Sequence, residues 1–193
     1  MNNKVIPPHG GYAKLLSYRK AEIIYDATVN FCARFFGRFD RTVSQMVQAA
    51  RSGKQNIVEG SMVSGTSKEI EIKLVGVARA SLEELLTDYR DFLRIRNLLQ
   101  WNKDSNESLQ IRNLGKIKEV SYDNFKEIIE TGTAEAAANT VICLIHQANF
   151  LLDRQLQFLE KDFLEHGGIR ERLTKARIDV KNKKKDSKEN KES

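Results

Sequence analysis

Apolar residues recur at steps of three and four positions along most of this 193-residue chain. Such spacing places apolar side chains on one face of an α-helix, whereas a half-buried strand alternates every two residues. The pattern predicts four long helices, which begin near residues 13, 40, 67 and 134, and almost no β-structure. Long helices with short connections favour an all-α fold, an antiparallel up-down four-helix bundle.

The first two predicted helices have clear apolar faces and clear ends. Residues 13–36 form the first helix, and Gly37 is placed to end it as a left-handed cap. Asp40 is placed to cap the second helix, because its carboxylate can accept hydrogen bonds from free backbone N–H groups. The predicted inner faces contain Ala21, Ile24, Tyr25, Thr28, Phe31, Cys32 and Phe35 in the first helix, and Val43, Met46, Val47, Ala50 and Ile57 in the second.

The third predicted helix covers residues 67–99. Thr66 and Glu69 resemble a capping box, with Thr66 as the cap and Glu69 three residues later. The apolar face alternates steps of three and four, a near-heptad that favours shallow left-handed packing against neighbouring helices. That face contains Ile70, Leu74, Val77, Ser81, Leu85, Asp88, Tyr89, Phe92, Ile95 and Leu99.

A turn-rich helical insert, residues 101–133, separates the third helix from the fourth. It contains short amphipathic pieces near residues 109–117 and 122–129. The fourth long helix begins near Ala134 and ends at Gly167. The chain therefore divides into an N-terminal arm, a bundle that contains the insert, a short C-terminal helix and a tail, at residues 1–12, 13–166, 167–180 and 181–193.

The net charge of +6 is concentrated at the C-terminus. Residues 169–193 carry ten Lys or Arg and five Asp or Glu, whereas residues 1–168 carry 22 and 21. Residues 181–193 contain no apolar residue and are predicted to be disordered. They are either a solvated tail or a loose phosphate-binding arm, and charge alone leaves both interpretations open.

The chain shows no signal for membrane insertion or secretion. No apolar run approaches the about 20 residues that a transmembrane helix needs, and the N-terminus lacks the apolar segment of a signal peptide. We therefore expect a cytoplasmic protein with no membrane partner. Cys32 and Cys143 lie in apolar helical stretches without a CxxC partner, so both are predicted to be buried free thiols.

Motifs that would support catalysis or cofactor binding are incomplete. Gly53-Lys54 lacks the other residues of a phosphate loop, so Gly53 is predicted to allow close helix packing instead. His9 and His166 each precede two glycines, but no G-x-S-x-G nucleophile motif accompanies them. Cys143 and His146 can share a helix face, yet no second pair of metal ligands is evident. The sequence predicts no enzyme activity, no metal and no cofactor.

Polar residues near the predicted inner faces are too many for a simple core. A second interface, between copies of the chain, would pair such groups and set the register of assembly. The alternative is that most of them face water. Apolar residues off the predicted core faces favour contact between copies. The predicted oligomer contacts are Gln45, Gln48, Gln55, Asn56, Glu59, Ile72 and Val75.

The segments Gln45-Met46, Ala49-Ala50-Arg51 and Asn56-Ile57-Val58-Glu59-Gly60 resemble the central signature of a known four-helix-bundle family. Its members were first met as reading frames in intervening sequences of 23S ribosomal RNA genes. The match continues through residues 66–69 and 78–85, and the accessory variability proteins of diversity-generating retroelements are similar. The long insert and residues 164–177 resemble the branch with an added C-terminal suffix region.

The resemblance implies a bundle that assembles as a ring, typically a homopentamer, without catalytic activity. It also implies a positively charged ring surface, which retroelement relatives use to bind nucleic acid and a reverse transcriptase. The candidate nucleic-acid-binding residues on the long helices are Arg34, Arg38, Arg41, Arg51, Lys54, Lys73, Arg90, Arg94 and Arg96. Those near the C-terminus are Arg170, Arg172, Lys175, Arg177, Lys183, Lys184 and Lys185.

The leading hypothesis is a non-enzymatic homo-oligomer whose basic surface and tail bind RNA or DNA electrostatically, together with a partner enzyme such as a reverse transcriptase. No base-reading motif is present, so each basic contact would add salt sensitivity rather than sequence preference. The alternative is a scaffold that binds only protein and presents the insert and the C-terminal region.

Overall fold

The computed structural model describes residues 9–37 and 39–192, with side chains as far as Asn182. These residues contain no strand, and the predicted all-α class is confirmed. A 3-10 turn at Tyr12–Lys14 precedes helices α1 (Leu16–Phe35), α2 (Arg41–Val63), α3 (Lys68–Ile95), α4 (Asn106–Leu114), α5 (Asp123–Glu130), α6 (Ala134–His166) and α7 (Ile169–Glu192). None of these helices combines the length and hydropathy that a membrane crossing requires.

The four long helices α1, α2, α3 and α6 enclose the main core. α3 packs against α2 and α6, and α1 packs against the same two helices. Phe31 of α1 and Tyr89 of α3 are fully buried, with ring centroids 4.8 Å apart. The Tyr89 hydroxyl donates to Thr28 Oγ1 at 3.1 Å, so the phenol oxygen has a partner inside the core. This contact joins α1 to α3 across the interior.

The predicted apolar face of α3 is wrong by one position over its first half. Ile70 and Val77 are 49% and 41% exposed, whereas Val75, Ala78 and Leu82 are fully buried. Both sets of residues step by threes and fours, so the sequence pattern fits either face. The choice between them is made by the neighbouring helix.

Gly53 on α2 allows α3 to approach closely. A Cβ atom added to Gly53 would lie 2.7 Å from Leu82 Cδ2, whereas one added to Gly60 would meet Val75 Cγ2 at an ordinary contact distance of 3.6 Å. Because α2 has no side chain at Gly53, α3 turns Leu82 toward it. The prediction that Gly53 allows close packing is confirmed. Val75 is a core residue, and its prediction as an oligomer contact is wrong.

The starts of α2 and α3 are capped by side chains. Asp40 accepts a hydrogen bond from the Thr42 N–H at 2.9 Å, as predicted. Ser67, rather than the predicted Thr66, caps α3 and accepts from the Ile70 N–H at 3.2 Å. Ser67 has the extended backbone that an N-cap residue adopts, which explains why α3 begins one residue later than expected.

Two helix ends differ from the predictions. Gly37 does not take up a positive φ; α1 ends instead at Phe35, and the C-cap residue Phe36 has an extended backbone. α3 ends at Ile95, before the predicted Leu99, and the side chains of both residues are 67% exposed. The last positions of the predicted apolar face therefore lie outside the core.

The insert contains α4 and α5 near their predicted positions, and side chains from the long helices hold it, including those of Lys20, Arg34 and Asn139. Lys20 of α1 is buried and donates to the Gly115 carbonyl at 2.5 Å. Arg34 of α1 donates to the Gly132 carbonyl at 2.9 Å. Asn139 of α6 donates at 2.8 Å to a carbonyl in the loop after α3. Each bond satisfies a backbone acceptor that would otherwise lack a helical partner.

α7 is longer than predicted. The sequence pattern ends this helix at Val180 and makes residues 181–193 a tail, whereas the helix continues to Glu192. No Gly or Pro follows Gly168, and lysine, the most frequent residue here, has a favourable helix propensity. Low hydrophobicity removes the means of forming a core, but it does not by itself end a helix.

The close approach of α2 and α3 predicts opposite effects for two helical glycines. Gly53→Ala should lower the free energy of unfolding by about 1 kcal/mol, because the new methyl group collides with buried Leu82 and overpacking outweighs the gain in helix propensity. Gly76→Ala, where a Cβ meets no atom within 4 Å, should raise it by about 0.5–1 kcal/mol. Urea denaturation measures both values. Equal shifts of the same sign would contradict the packing role of Gly53.

The buried Lys20 predicts a pH-dependent stability. Burial lowers the pKa of Lys20 from 10.5 to about 8. Between these values the unfolded chain binds more protons than the folded chain, so the free energy of unfolding should rise with pH from about 8 to 10.5, by about 3 kcal/mol at most. Lys20→Met should remove this rise, and Lys126→Met, at an exposed lysine of α5, should keep it. Urea unfolding at a series of pH values measures the difference between the variants.

Candidate nucleic-acid interface

α7 presents positive charge on a helix that is exposed along its described side chains. Arg170, Lys175 and Arg177 are exposed, and Arg172 is half-exposed. No side chain described on α7 is buried. Residues 169–193 carry ten Lys or Arg against five Asp or Glu, and none of the five cations of α7 whose side chains are described is buried by packing. These predicted residues are available to a phosphate backbone.

A second group of predicted arginines lies where α1 and α3 end, and its members serve the fold. The Arg96 guanidinium lies 3.9 Å from the Phe92 ring centroid and donates to the Phe35 carbonyl at 3.2 Å. Arg34 donates to two carbonyls at and beyond the end of α5, and Arg94 pairs with a carboxylate on its own helix at 2.8 Å. Each of these arginines therefore uses some of its hydrogen-bond donors within the chain.

Arg41 and Phe39 lie close in sequence to this cluster and are exposed. Phe39 is 92% exposed, which leaves a full aromatic ring face in solvent between the ends of α1 and α2. Nucleic-acid bases stack on such rings, and adjacent cations bind the phosphates. Phe39 was absent from the predicted site; the signal that could have found it is a single aromatic residue in a connection between two helices, flanked by arginines.

The remaining predicted cations on α2 and α3 do not form one patch. Lys54 faces α1, where its ammonium lies 4.2 Å from the Tyr25 ring centroid. Arg90 lies near His146 of α6, whose pKa is lowered by partial burial and by the charge of Arg90. Arg51 and Lys73 are exposed. Arg38 lies outside the described residues, as do the side chains of Lys183, Lys184 and Lys185.

The predicted oligomer contacts border a polar groove between α2 and α3. Gln45, Gln48, Ser52, Ser81 and Glu84 line this groove, which encloses about 520 Å³. The Ser81 hydroxyl donates to Ser52 Oγ at 3.2 Å, and this bond connects the two helices across the groove. These side chains are polar and half-buried or exposed, so they can form hydrogen bonds with either water or a second chain.

Other predicted contacts are spread around this groove. Asn56 is half-buried and donates to the Ser52 carbonyl at 2.8 Å. Gln55 and Ile72 are half-buried and Glu59 is exposed. α3 also exposes the apolar residues Ile70 and Val77. Val75 is excluded because it lies in the core.

The two cysteines are free thiols, as predicted, but only one is fully buried. Burial raises the pKa of the Cys32 thiol to about 12, which keeps it protonated and unreactive near neutral pH. Cys143 is half-buried and approaches Ser108 Oγ at 3.8 Å. In residues 9–37 and 39–192, no cluster of three or more His, Cys, Asp or Glu could hold a metal ion.

None of the protein-family models, curated proteins or solved structures compared with this chain matches it. The resemblance drawn from residues 45–85 therefore stays a prediction. Within the described residues, two surfaces are suited to binding. α7 offers charge, and the groove between α2 and α3 offers hydrogen-bonding groups.

The different surroundings of two nearby arginines give a test of which cations are structural. Arg34→Ala should lower the free energy of unfolding by about 1–3 kcal/mol, because two backbone carbonyls at and beyond the end of α5 lose a charged donor. Arg41→Ala, at an exposed residue, should change it by less than about 0.5 kcal/mol. Urea denaturation separates the two variants. An Arg34→Ala protein as stable as the wild type would show that Arg34 is free to bind a ligand.

Proposed function

We propose that this protein is a non-enzymatic homo-oligomer that binds nucleic acid electrostatically through α7. The observation that carries the proposal is the position of the charge. The ten cations from residue 169 onward lie in a helix that buries none of its described side chains, whereas residues 1–168 are almost neutral. A helix whose charges are not used by the fold can place them along a phosphate backbone.

We also propose that α1, α2, α3 and α6 form an antiparallel up-down four-helix bundle. Contacts between neighbouring helices support opposite directions. Arg79 of α3 pairs with Asp153 of α6 at 2.5 Å, and Glu83, one turn later on α3, accepts from Asn149 at 3.0 Å. From Arg79 to Glu83 the residue number on α3 rises, whereas the number of the partner on α6 falls from Asp153 to Asn149. The two helices therefore run in opposite directions. The glycine contacts between α2 and α3 run in the same opposed order.

Self-association through α2 and α3 is the second part of the proposal. The groove lined by Gln45, Gln48 and Glu84 offers donors and acceptors that a second copy can pair, and exposed Ile70 and Val77 add apolar area on α3. The resemblance to the intervening-sequence family implies five copies in a ring. A ring would bring several α7 helices together, and linked weak phosphate contacts would then give strong binding.

A partner enzyme such as a reverse transcriptase is a further part of the proposal that rests on the resemblance alone. Contacts to phosphate carry no sequence information, so a nucleic acid bound in this way would be selected by charge, length and geometry. The partner would then supply any sequence preference.

Light scattering and fluorescence anisotropy test the two parts of this proposal separately. The assembled mass should be about five times the 22.1 kDa of one chain. A labelled single-stranded RNA should bind with an affinity that falls steeply between about 50 and 200 mM salt. Replacing Arg170, Lys175 and Arg177 with alanine should weaken binding and reduce the salt slope by about 0.7 for each phosphate that is no longer neutralised.

The matched control replaces three exposed lysines outside α7, Lys116, Lys118 and Lys126, with alanine. This change removes the same charge but should keep the salt slope of the wild type. Absence of binding at low salt would overturn the nucleic-acid function, and equal weakening in both variants would overturn the role of α7. A monomeric mass would overturn the oligomer.

The second candidate function, a scaffold that binds only protein, is favoured by one feature of α7. Its apolar residues Ile169, Leu173, Ala176 and Val180 step by four, three and four, which is the spacing of a coiled-coil seam. Leu173 and Val180 are about half exposed. Such a seam fits a helix from a partner, and binding of protein without any binding of RNA would support this candidate over the first.

A further inference from the structure

A cavity of about 510 Å³ lies between the insert and α6, away from α7 and from the groove between α2 and α3. Its apolar lining includes Trp101, Ile142 and Phe150, and its cationic lining includes Lys103 and Arg112. No Asp or Glu among the described residues lines it. Cavities of this size and mixed character are typical of sites for small organic ligands.

Hydrogen bonds from α6 to the insert hold the wall that carries Trp101. Asn139 accepts from the Trp101 backbone N–H at 2.8 Å and donates to the Leu99 carbonyl at 2.8 Å. These two bonds fasten the chain on both sides of residue 100 to α6. The Trp101 side chain is half-buried and packs against the core on one side, so its position is set before any ligand arrives.

The opposite wall comes from α4. Arg112 donates to the Lys103 carbonyl, and the Gln147 amide of α6 donates to the Arg112 carbonyl at 3.4 Å. Asp104 lies 4.0 Å from the Arg112 guanidinium and is mostly exposed, so it offsets only part of that charge. Two cations therefore stand at the rim beside an aromatic interior.

A further feature points to an aromatic ligand. Phe150, which lines the cavity, leaves 60% of its surface in solvent, although a phenyl ring gains from being covered. A flat aromatic ring stacked on Phe150 would cover it.

We propose that this cavity binds a nucleotide, with the base against Trp101 and Phe150 and the phosphate at Lys103 and Arg112. The combination of a stacking surface with adjacent cations matches a ligand that joins an aromatic base to an anion. The nucleotide is either a free mononucleotide or an unpaired nucleotide of a strand. The second source rests on the proposed nucleic-acid function, whereas the first does not.

Intrinsic fluorescence reports on this cavity alone, because Trp101 is the only tryptophan in the chain. Titration of the full-length protein with AMP should change Trp101 emission in a saturable way. Ribose 5-phosphate, which has the phosphate but no base, should produce at most a small change. Phe150→Ala and Lys103→Glu should each raise the apparent Kd for AMP by about tenfold or more, the effect of removing a stacking surface or a charged contact.

The matched control is Lys116→Glu, an exposed lysine of the insert that does not line the cavity, and it should bind AMP as the wild type does. Circular dichroism should show the same helix content in all variants, since Phe150, Lys103 and Lys116 are exposed. A saturable response to AMP that Phe150→Ala and Lys103→Glu leave unchanged would overturn the proposal. If AMP does not change the Trp101 emission of the wild type, the proposal is also overturned. An apolar side chain of a protein partner would then be the remaining candidate ligand of the cavity.

An oligonucleotide titration separates the two sources and keeps this proposal distinct from the function of α7. If strands supply the nucleotide, a single-stranded octamer should change Trp101 emission, and AMP should reverse the change. If the ligand is a free mononucleotide, the octamer should leave Trp101 unchanged while its own anisotropy still reports any binding at α7. A Trp101 response to AMP without any binding of the octamer to the wild type would overturn the function of α7 and leave the cavity site standing.

Discussion

The close approach of α2 and α3 is the constraint on which the rest of the structure depends. The missing side chain at Gly53 lets α3 turn Leu82 into the core, and Val75, two turns earlier on α3, is buried with it. Once this rotation is set, Tyr89 reaches Thr28 on α1, and Ser81 faces Ser52 across the outer groove. The same contact therefore determines both the interior and the surface offered to a second chain.

A second organising feature is the use of cationic side chains as donors to backbone carbonyls. Lys20, Arg34 and Arg96 each bond a carbonyl in a loop or at a helix end, and together they fasten the insert and the ends of α1 and α3. Some cations thus complete the backbone, whereas the described cations of α7 have no such bond. Charge counts along the sequence do not separate these classes, because each donor depends on a carbonyl distant in the chain.

Most of the fold and less of the candidate site could be predicted from the sequence. The helical period located α1, α2 and α6, and Asp40 was recognisable as a cap because capping is local. The face of α3 was misplaced because Val75 and Val77 fit the period equally well, and the close contact between Gly53 of α2 and Leu82 is not visible in that period. The cavity beside Trp101 was beyond prediction, since it joins residues from the insert and α6 that no pattern relates.

The exposure and positive charge of α7 should make its helix content depend on the ions around it. Isolated helices are marginal in water, and none of the side chains described on α7 gains stability from full burial. Its helix content must then depend on local propensity and on repulsion among closely spaced cations. Anything that neutralises those cations shifts a helix–coil equilibrium, so ionic strength, polyanion binding and the ordering of this segment are thermodynamically linked.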